Sequence, residues 1–173
     1  MHLTAEEQKM LDGAYGETVR RSMKVLVALG EIYGADHMIE VKNVHSPGVS
    51  YRVAGDAGLG YVEDASKDAV FQVPMTLNTI GIDEKDWKQI GFPEDFSCKQ
   101  LELSRAYEKM GAIPTNSCTP YLNGNLPMFG EHVAWGESSA VAFVNSVIGA
   151  RTNREGGPTA LAAAITGRVP AYG

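Results

Sequence analysis

The chain has 173 residues, of which 15 are Lys or Arg and 21 are Asp or Glu, giving a formal net charge of −6 with 44 % apolar residues. A single domain of this length buries about 70 % of the surface its unfolded chain exposes, and an acidic balance without a basic run argues against a nucleic-acid backbone or an anionic membrane as partner. No apolar stretch is long enough for a membrane span and Met1 to Met10 is too polar for a signal peptide, so the expected compartment is the cytoplasm.

In chain order, Thr4 to Glu7 has the form of a capping box and predicts a short helix. Glu17 to Tyr33 carries Val19, Met23, Leu26, Val27 and Ile32 at three- and four-residue spacings and ends at Gly34, which predicts a longer one. Met38 to Val41 reads as a strand entering a loop from Asn43 to Gly48, followed by a second strand over Val49 to Val53. Residues 56–66 read as a low-amplitude helix and Ala69 to Val73 as a strand ended by Pro74. Asp83 is placed to cap a helix through Ile90, and Pro93 opens another that runs to Gly111, the two forming an antiparallel hairpin. Between Gly111 and Gly136 the prolines and glycines predict loops with one short strand near Ala112 to Pro114. Glu137 to Ile148 and Thr159 to Thr166 read as two buried helices ended by Gly149 and Gly167. The expected class is α/β, layered helices with short, mostly parallel strands, in one domain without repeats.

Charge is distributed unevenly. Residues 111–173 contain no Lys and no Asp, only Arg151, Arg154, Arg168, Glu131, Glu137 and Glu155. An ordinary solvated surface mixes Lys with Glu, so this segment is expected to be enclosed by the rest of the protein or by a partner chain. Arg151 and Arg154 bracket Thr152 and Asn153 and precede Glu155-Gly156-Gly157-Pro158, a polar loop between two apolar helices. Guanidinium groups here suit bidentate capture of a carboxylate or phosphate, and the glycines allow backbone amides to approach an anion at a helix start. In the alternative the arginines cap the preceding helix and pair with Glu155.

The two cysteines, Cys98 and Cys118, are too few for a disulfide scaffold. Cys118 is either a small buried apolar residue or, standing in a loop just before Thr119-Pro120, a thiolate presented to an iron–sulfur cluster. His45, in the loop that also carries Ser46 and Ser50, is either at a ligand crevice at a strand end or hydrogen-bonded in a turn. Glu131-His132 lacks the spacing of a zinc motif, and Gly55 to Gly60 does not match a nucleotide-binding fingerprint.

Three motifs in order, Cys118 to Leu122 (CTPYL), Gly130 to Val141 (GEHVAWGESSAV) and Gly149 to Pro158 (GARTNREGGP), resemble the aconitase X family, and the likeness extends upstream through Gly48 to Tyr51 and the Leu3-Thr4 beginning. The resemblance implies a hydro-lyase that removes water from a hydroxy acid such as phosphomevalonate or cis-3-hydroxy-L-proline. It implies an iron–sulfur cluster, [4Fe-4S] or [2Fe-2S], acting as a Lewis acid, with Cys118 as ligand. It implies a substrate site that includes Arg151, Asn153, Arg154, Glu155, Gly156 and Gly157, and a base that is either Ser50 or His45. Family large subunits run beyond the equivalent of Gly173 and their cluster takes about three cysteines. Residues 1–173 are therefore expected to be one segment of a catalytic domain, completed by a small subunit and/or the remaining large-subunit polypeptide. The competing expectations are a non-catalytic assembly subunit and an anion-binding module.

Overall fold

The structure, a computed structural model, describes residues 1–172. Helix α1 (Ala5–Asp12) begins at the expected capping box: the Thr4 hydroxyl accepts from the Glu7 amide at 3.3 Å and the Glu7 carboxylate accepts from the Thr4 amide at 2.8 Å. Helix α2 (Glu17–Tyr33) stops at Gly34, whose φ of 71° a residue with a β-carbon adopts only at a cost. Met10, Met23, Leu26 and Met38 close the seam between α1, α2 and strand β1 (Met38–Glu40).

The central feature is a parallel sheet of three short strands, with β2 (Val44–Ser46) between β3 (Met75–Leu77) and β4 (Ala134–Trp135). His45 stands opposite Thr76 on one side and Trp135 on the other. Irregular segments lengthen both edges: Ile113 pairs with Thr76, while Arg151 and Arg154 pair with His132 and Trp135, all parallel. One face of the sheet packs on helices α3 (Tyr51–Ala65), α4 (Glu94–Lys109) and α6 (Gly157–Thr166), where Val44, Met75, Leu77 and Ala134 meet Leu59, Leu103, Met110 and Leu161. Helix α6 is buried at every position from Ala160 to Thr166, as expected of a helix apolar all round. On the other face Trp135 packs with Val133, Ala140, Val144 and Ala150 under α5 (Ser138–Phe143), which passes into a π-helical turn, Val144–Ile148. A separate antiparallel pair joins β1 to β5 (Arg168–Pro170).

Several sequence expectations are corrected. The strand lies at Val44–Ser46, inside the expected loop, and the residues read as a second strand instead approach and enter α3, for which Ser50 is the N-cap. Helix α3 itself breaks at Gly55 (φ 60°, ψ −170°). The strand expected before Pro74 follows it, because the proline's carbonyl accepts the Val44 amide at 2.9 Å while its missing N–H suits a strand start. Asp83 accepts from the Lys85 and Asp86 amides, each at 2.8 Å, which folds the segment into turns and leaves no helical hairpin. The Glu137 to Ile148 helix is only partly covered, and Val147 is exposed.

The carboxyl edge of the parallel sheet as the candidate functional site

In open α/β sheets ligands bind outside the carboxyl ends of the strands. At that edge this chain places the Ser46–Ser50 loop after β2, Asn78 and Thr79 after β3, Gly136 and Glu137 after β4, and the turns Thr115–Cys118 and Glu155–Gly157 after the two edge segments. A cavity of about 290 Å³, walled mainly by apolar atoms of Gly48, Val53, Tyr61, Tyr107, Gly157 and Leu161, opens beside these loops. The loops touch: a β-carbon at Gly157 would stand 3.4 Å from the Pro47 carbonyl.

His45 is 0 % exposed. Its Nδ1 lies 2.9 Å from the Thr76 hydroxyl, its ring meets Trp135 edge-on at 5.9 Å, and its Nε2 has no hydrogen-bond partner. Burial pushes its pKa down to about 4, against the opposing pulls of the Glu137 charge and Thr76, so the ring is neutral near pH 7. Ser50 begins α3, and its hydroxyl makes no capping bond. Its neighbours are pinned by Gln100, a fully buried side chain of α4. The Gln100 carbonyl oxygen accepts from the Tyr51 and Gly81 amides at 2.8 and 3.2 Å, and its amide donates to the Val49 carbonyl at 3.0 Å. Gln100 is a site-shaping residue that sequence reasoning missed, although a polar residue between Phe96, Leu103 and Tyr107 on an apolar helical stripe is a visible signal.

Cys118 is half-buried and its Sγ is 3.8 Å from the Thr79 hydroxyl. Cys98 is exposed on α4, and among the described residues no three His, Cys, Asp or Glu side chains group as a metal site. A cluster takes about three or four thiolates, so the chain offers a single thiolate at this edge and does not complete a ligand set.

Glu155 is buried at the start of α6, and burial pushes its carboxyl pKa up, with a Thr159 hydrogen bond working the other way. Gly156 donates its amide to the Thr159 hydroxyl at 2.9 Å. The two arginines do not form one fork. Arg154 stands level with Trp135 at the carboxyl end of β4, whereas Arg151 is level with His132, three residues and about 10 Å back along the strand. There Arg151 borders a second cavity with Asn145 and Tyr172, and Asn153 is tied to the Tyr172 carbonyl at 2.7 Å. Both guanidinium groups are exposed and, among the described residues, neither pairs with Glu155 or any other acid. The carboxyl ends of the strands therefore carry Ser50, Cys118, Arg154 and Glu155 to Gly157 on their loops, with His45 buried in the strand beneath, and Arg151 and Asn153 lie beside the second cavity.

Arg168 has a different role. Its guanidinium lies 3.3 Å from the buried Glu7 and 3.1 Å from Glu40, which locks α1 onto the β1–β5 pair. The low-charge segment is only half enclosed: α6 is internal, but Leu122, Leu126, Met128, Phe129 and Val147 face solvent.

Such a molecule is an α/β domain whose parallel strands all end in loops at one carboxyl edge. The chain belongs to the aconitase X family: all of residues 1–173 match the model for the aconitase X first domain. It is 54 % identical over 174 residues to the phosphomevalonate dehydratase large subunit of Methanocaldococcus jannaschii, covering all of this chain and 43 % of that relative. It is 37 % identical over 172 residues to the cis-3-hydroxy-L-proline dehydratase of Pseudomonas aeruginosa, covering 99 % of this chain and 29 % of the relative. The crystal structure of Thermococcus kodakaraensis aconitase X in its holo-form superposes with a TM-score of 0.91 at 49 % identity, over all of this chain and 43 % of the other. The chain thus spans less than half the length of these relatives. Among the described residues no helix is long and apolar enough to cross a membrane.

Proposed function

We propose that this chain is the first domain of a hydro-lyase that removes water from a small hydroxy acid, of the class of phosphomevalonate or cis-3-hydroxy-L-proline. The observation that carries the reading is the placement of Cys118, Ser50 and the Glu155–Gly157 turn in loops at the same carboxyl end of the sheet, in a chain 54 % identical to a phosphomevalonate dehydratase large subunit.

The residues divide the work by their chemistry. Arg154 holds the substrate carboxylate, since its guanidinium is exposed at the edge and unpaired, and the free amide of Gly157 at the start of α6 adds a favourable dipole. Ser50, whose hydroxyl is not consumed by capping, exchanges the proton at the carbon next to that carboxylate. His45 is a poor base in its buried setting and serves as a neutral polar strut beneath the site. Arg151 lies outside this set, as does Asn153.

Cys118 contributes one thiolate to an iron–sulfur cluster whose other ligands come from outside this chain. A small subunit and the polypeptide corresponding to the rest of the relatives' length complete the enzyme, and the exposed Leu122, Leu126, Met128 and Phe129 support a covered face there. The incomplete ligand set favours a second reading, an assembly subunit or anion-binding module that performs no chemistry of its own.

The test is anaerobic co-production with iron, sulfide and those polypeptides, followed by assay of water loss from phosphomevalonate and from cis-3-hydroxy-L-proline. Turnover of one, abolished by Ser50→Ala and by Cys118→Ser, is expected. An assembled complex whose turnover survives Ser50→Ala removes the proposed proton transfer, and one with no turnover leaves the assembly reading.

A further inference from the structure

The loop that carries Cys118 has few hydrogen bonds to the rest of the molecule, its apolar tie being Tyr121, which stacks on Phe143 with ring centroids 3.8 Å apart. Upstream it is anchored to β3, where the Leu77 carbonyl accepts from the Thr115 hydroxyl at 2.8 Å and from the Ser117 amide at 3.2 Å. From Cys118 to Phe129 the backbone amides that donate to backbone carbonyls do so within the loop, Leu122 to Thr119 and Asn123 and Asn125 to Pro120, and the Gly130 amide then ties its end to the Gly149 carbonyl at 2.9 Å. Asn123 likewise turns inward, to the Ser117 hydroxyl and the Thr119 carbonyl, each at 3.0 Å. The contact of Cys118 with Thr79 is long, at 3.8 Å.

One buried side chain leaves the loop for the sheet. The amide nitrogen of Asn125 donates to the Val44 carbonyl at 3.2 Å and to the Thr76 hydroxyl at 2.9 Å, across 81 and 49 residues of chain. A backbone carbonyl can only accept, so the group facing Val44 is the amide nitrogen and not the oxygen. Thr76 then passes the chain on. Its hydroxyl oxygen is 2.9 Å from His45 Nδ1 and 3.4 Å from the Val44 carbonyl that Asn125 already engages, so one hydroxyl joins the Asn125 amide to the imidazole.

We propose that Asn125 and Thr76 are positioning residues that hold the Cys118 loop on β2 and β3, with the His45 ring as the fixed end of the chain. The inference rests on the reading of Cys118 as a functional thiol, but its geometry is testable whether or not the assembled protein dehydrates anything.

The test uses the full chain in a Cys98→Ser background, so that iodoacetamide reports Cys118 alone. Asn125→Ala is expected to raise the alkylation rate at least tenfold, and Thr76→Val to raise it as well, while Thr76→Ser, which keeps the hydroxyl, stays within twofold of the parent. Hydrogen exchange of the Val44 amide separates this from general loosening, because a loop released on its own leaves that amide as protected as before. Ring nitrogen-15 shifts of His45 should change in Thr76→Val, which removes the partner of Nδ1, and stay at the parent values in Thr76→Ser. A folded Asn125→Ala chain alkylated at the parent rate overturns the proposal. If Asn125→Ala fails to fold, a folded Thr76→Val chain with the parent rate and parent nitrogen shifts overturns it equally, since valine fills the same volume without the hydroxyl.

Discussion

Pro47 lies so close to Gly136 that a β-carbon at Gly136 would stand 2.1 Å from the proline Cγ. The loop after β2 and the turn after β4 are therefore in contact without a side chain between them, and the Gly136 amide also donates to the His45 carbonyl at 2.9 Å. A proline ring cannot swing away as a flexible side chain does, so Gly136→Ala must move backbone. We expect it to lower stability by about 3 kcal/mol, the upper part of the range for overpacking, read as a shift of the urea midpoint.

His45 makes stability depend on pH. Its folded pKa is about 4, below the ordinary value of about 6.5, because burial disfavours the charged ring. The unfolded chain takes up this proton first as pH falls, so the contribution is complete above about pH 6.5 and is lost between about 6.5 and 4. By pH 5 the loss from this one group is about 2 kcal/mol. Denaturant titrations at pH 7 and pH 5 should show that loss in the parent and its absence in His45→Gln, the difference between the two removing the contribution of the other titrating groups.

The separation of the two arginines along their edge segment predicts unequal effects on turnover. In the assembled enzyme Arg154→Lys should lower kcat/KM by 10-fold or more, about 1.5 kcal/mol or above, because a point cation cannot reproduce a two-pronged hold on a carboxylate. Arg151→Lys should leave it within about threefold. Equal losses would mean that both groups reach the substrate although Arg154 stands opposite Trp135 of β4 and Arg151 opposite His132, before that strand begins.

Arg168 should matter for folding and not for chemistry. Its side chain is 15 % exposed and Glu7 is nearly buried, so Arg168→Met leaves a carboxylate without its partner. A loss of about 3 kcal/mol is expected by chemical denaturation. Adding Glu7→Gln should recover part of it, since the uncharged amide needs no counterion.

What was readable in advance follows the range of the forces involved. The Thr4–Glu7 box, α2 with its Gly34 stop and α6 after Pro158 are set by neighbours within a few residues, and the sequence pattern places each within a residue or two. The α/β class with short parallel strands was legible, as was the edge segment at Ile113, but the positions of β2, β3 and β4 were not, because these strands are two or three residues long, too short for alternation, and owe their existence to partners 31 and 90 residues away, as His45 does to Thr76 and Trp135. The same holds for the site. Cys118, His45, Ser50 and the Glu155–Gly157 turn can be picked out by residue type and setting. That Arg151 falls outside the group, and that Gln100, Thr76 and Asn125 hold it together, depends on a register visible only after folding.

Strands this short leave the sheet no slack. Slipping β2 by one position against its neighbours would turn His45 toward the helices and bring Val44 or Ser46 into its place beside Trp135, inverting both faces at once. A one-residue insertion or deletion between Val41 and Ser50 therefore cannot be absorbed gradually. Length changes in this domain belong instead in the turns from Asp83 to Phe92, which are exposed on either side of the buried Trp87 and where no strand keeps count.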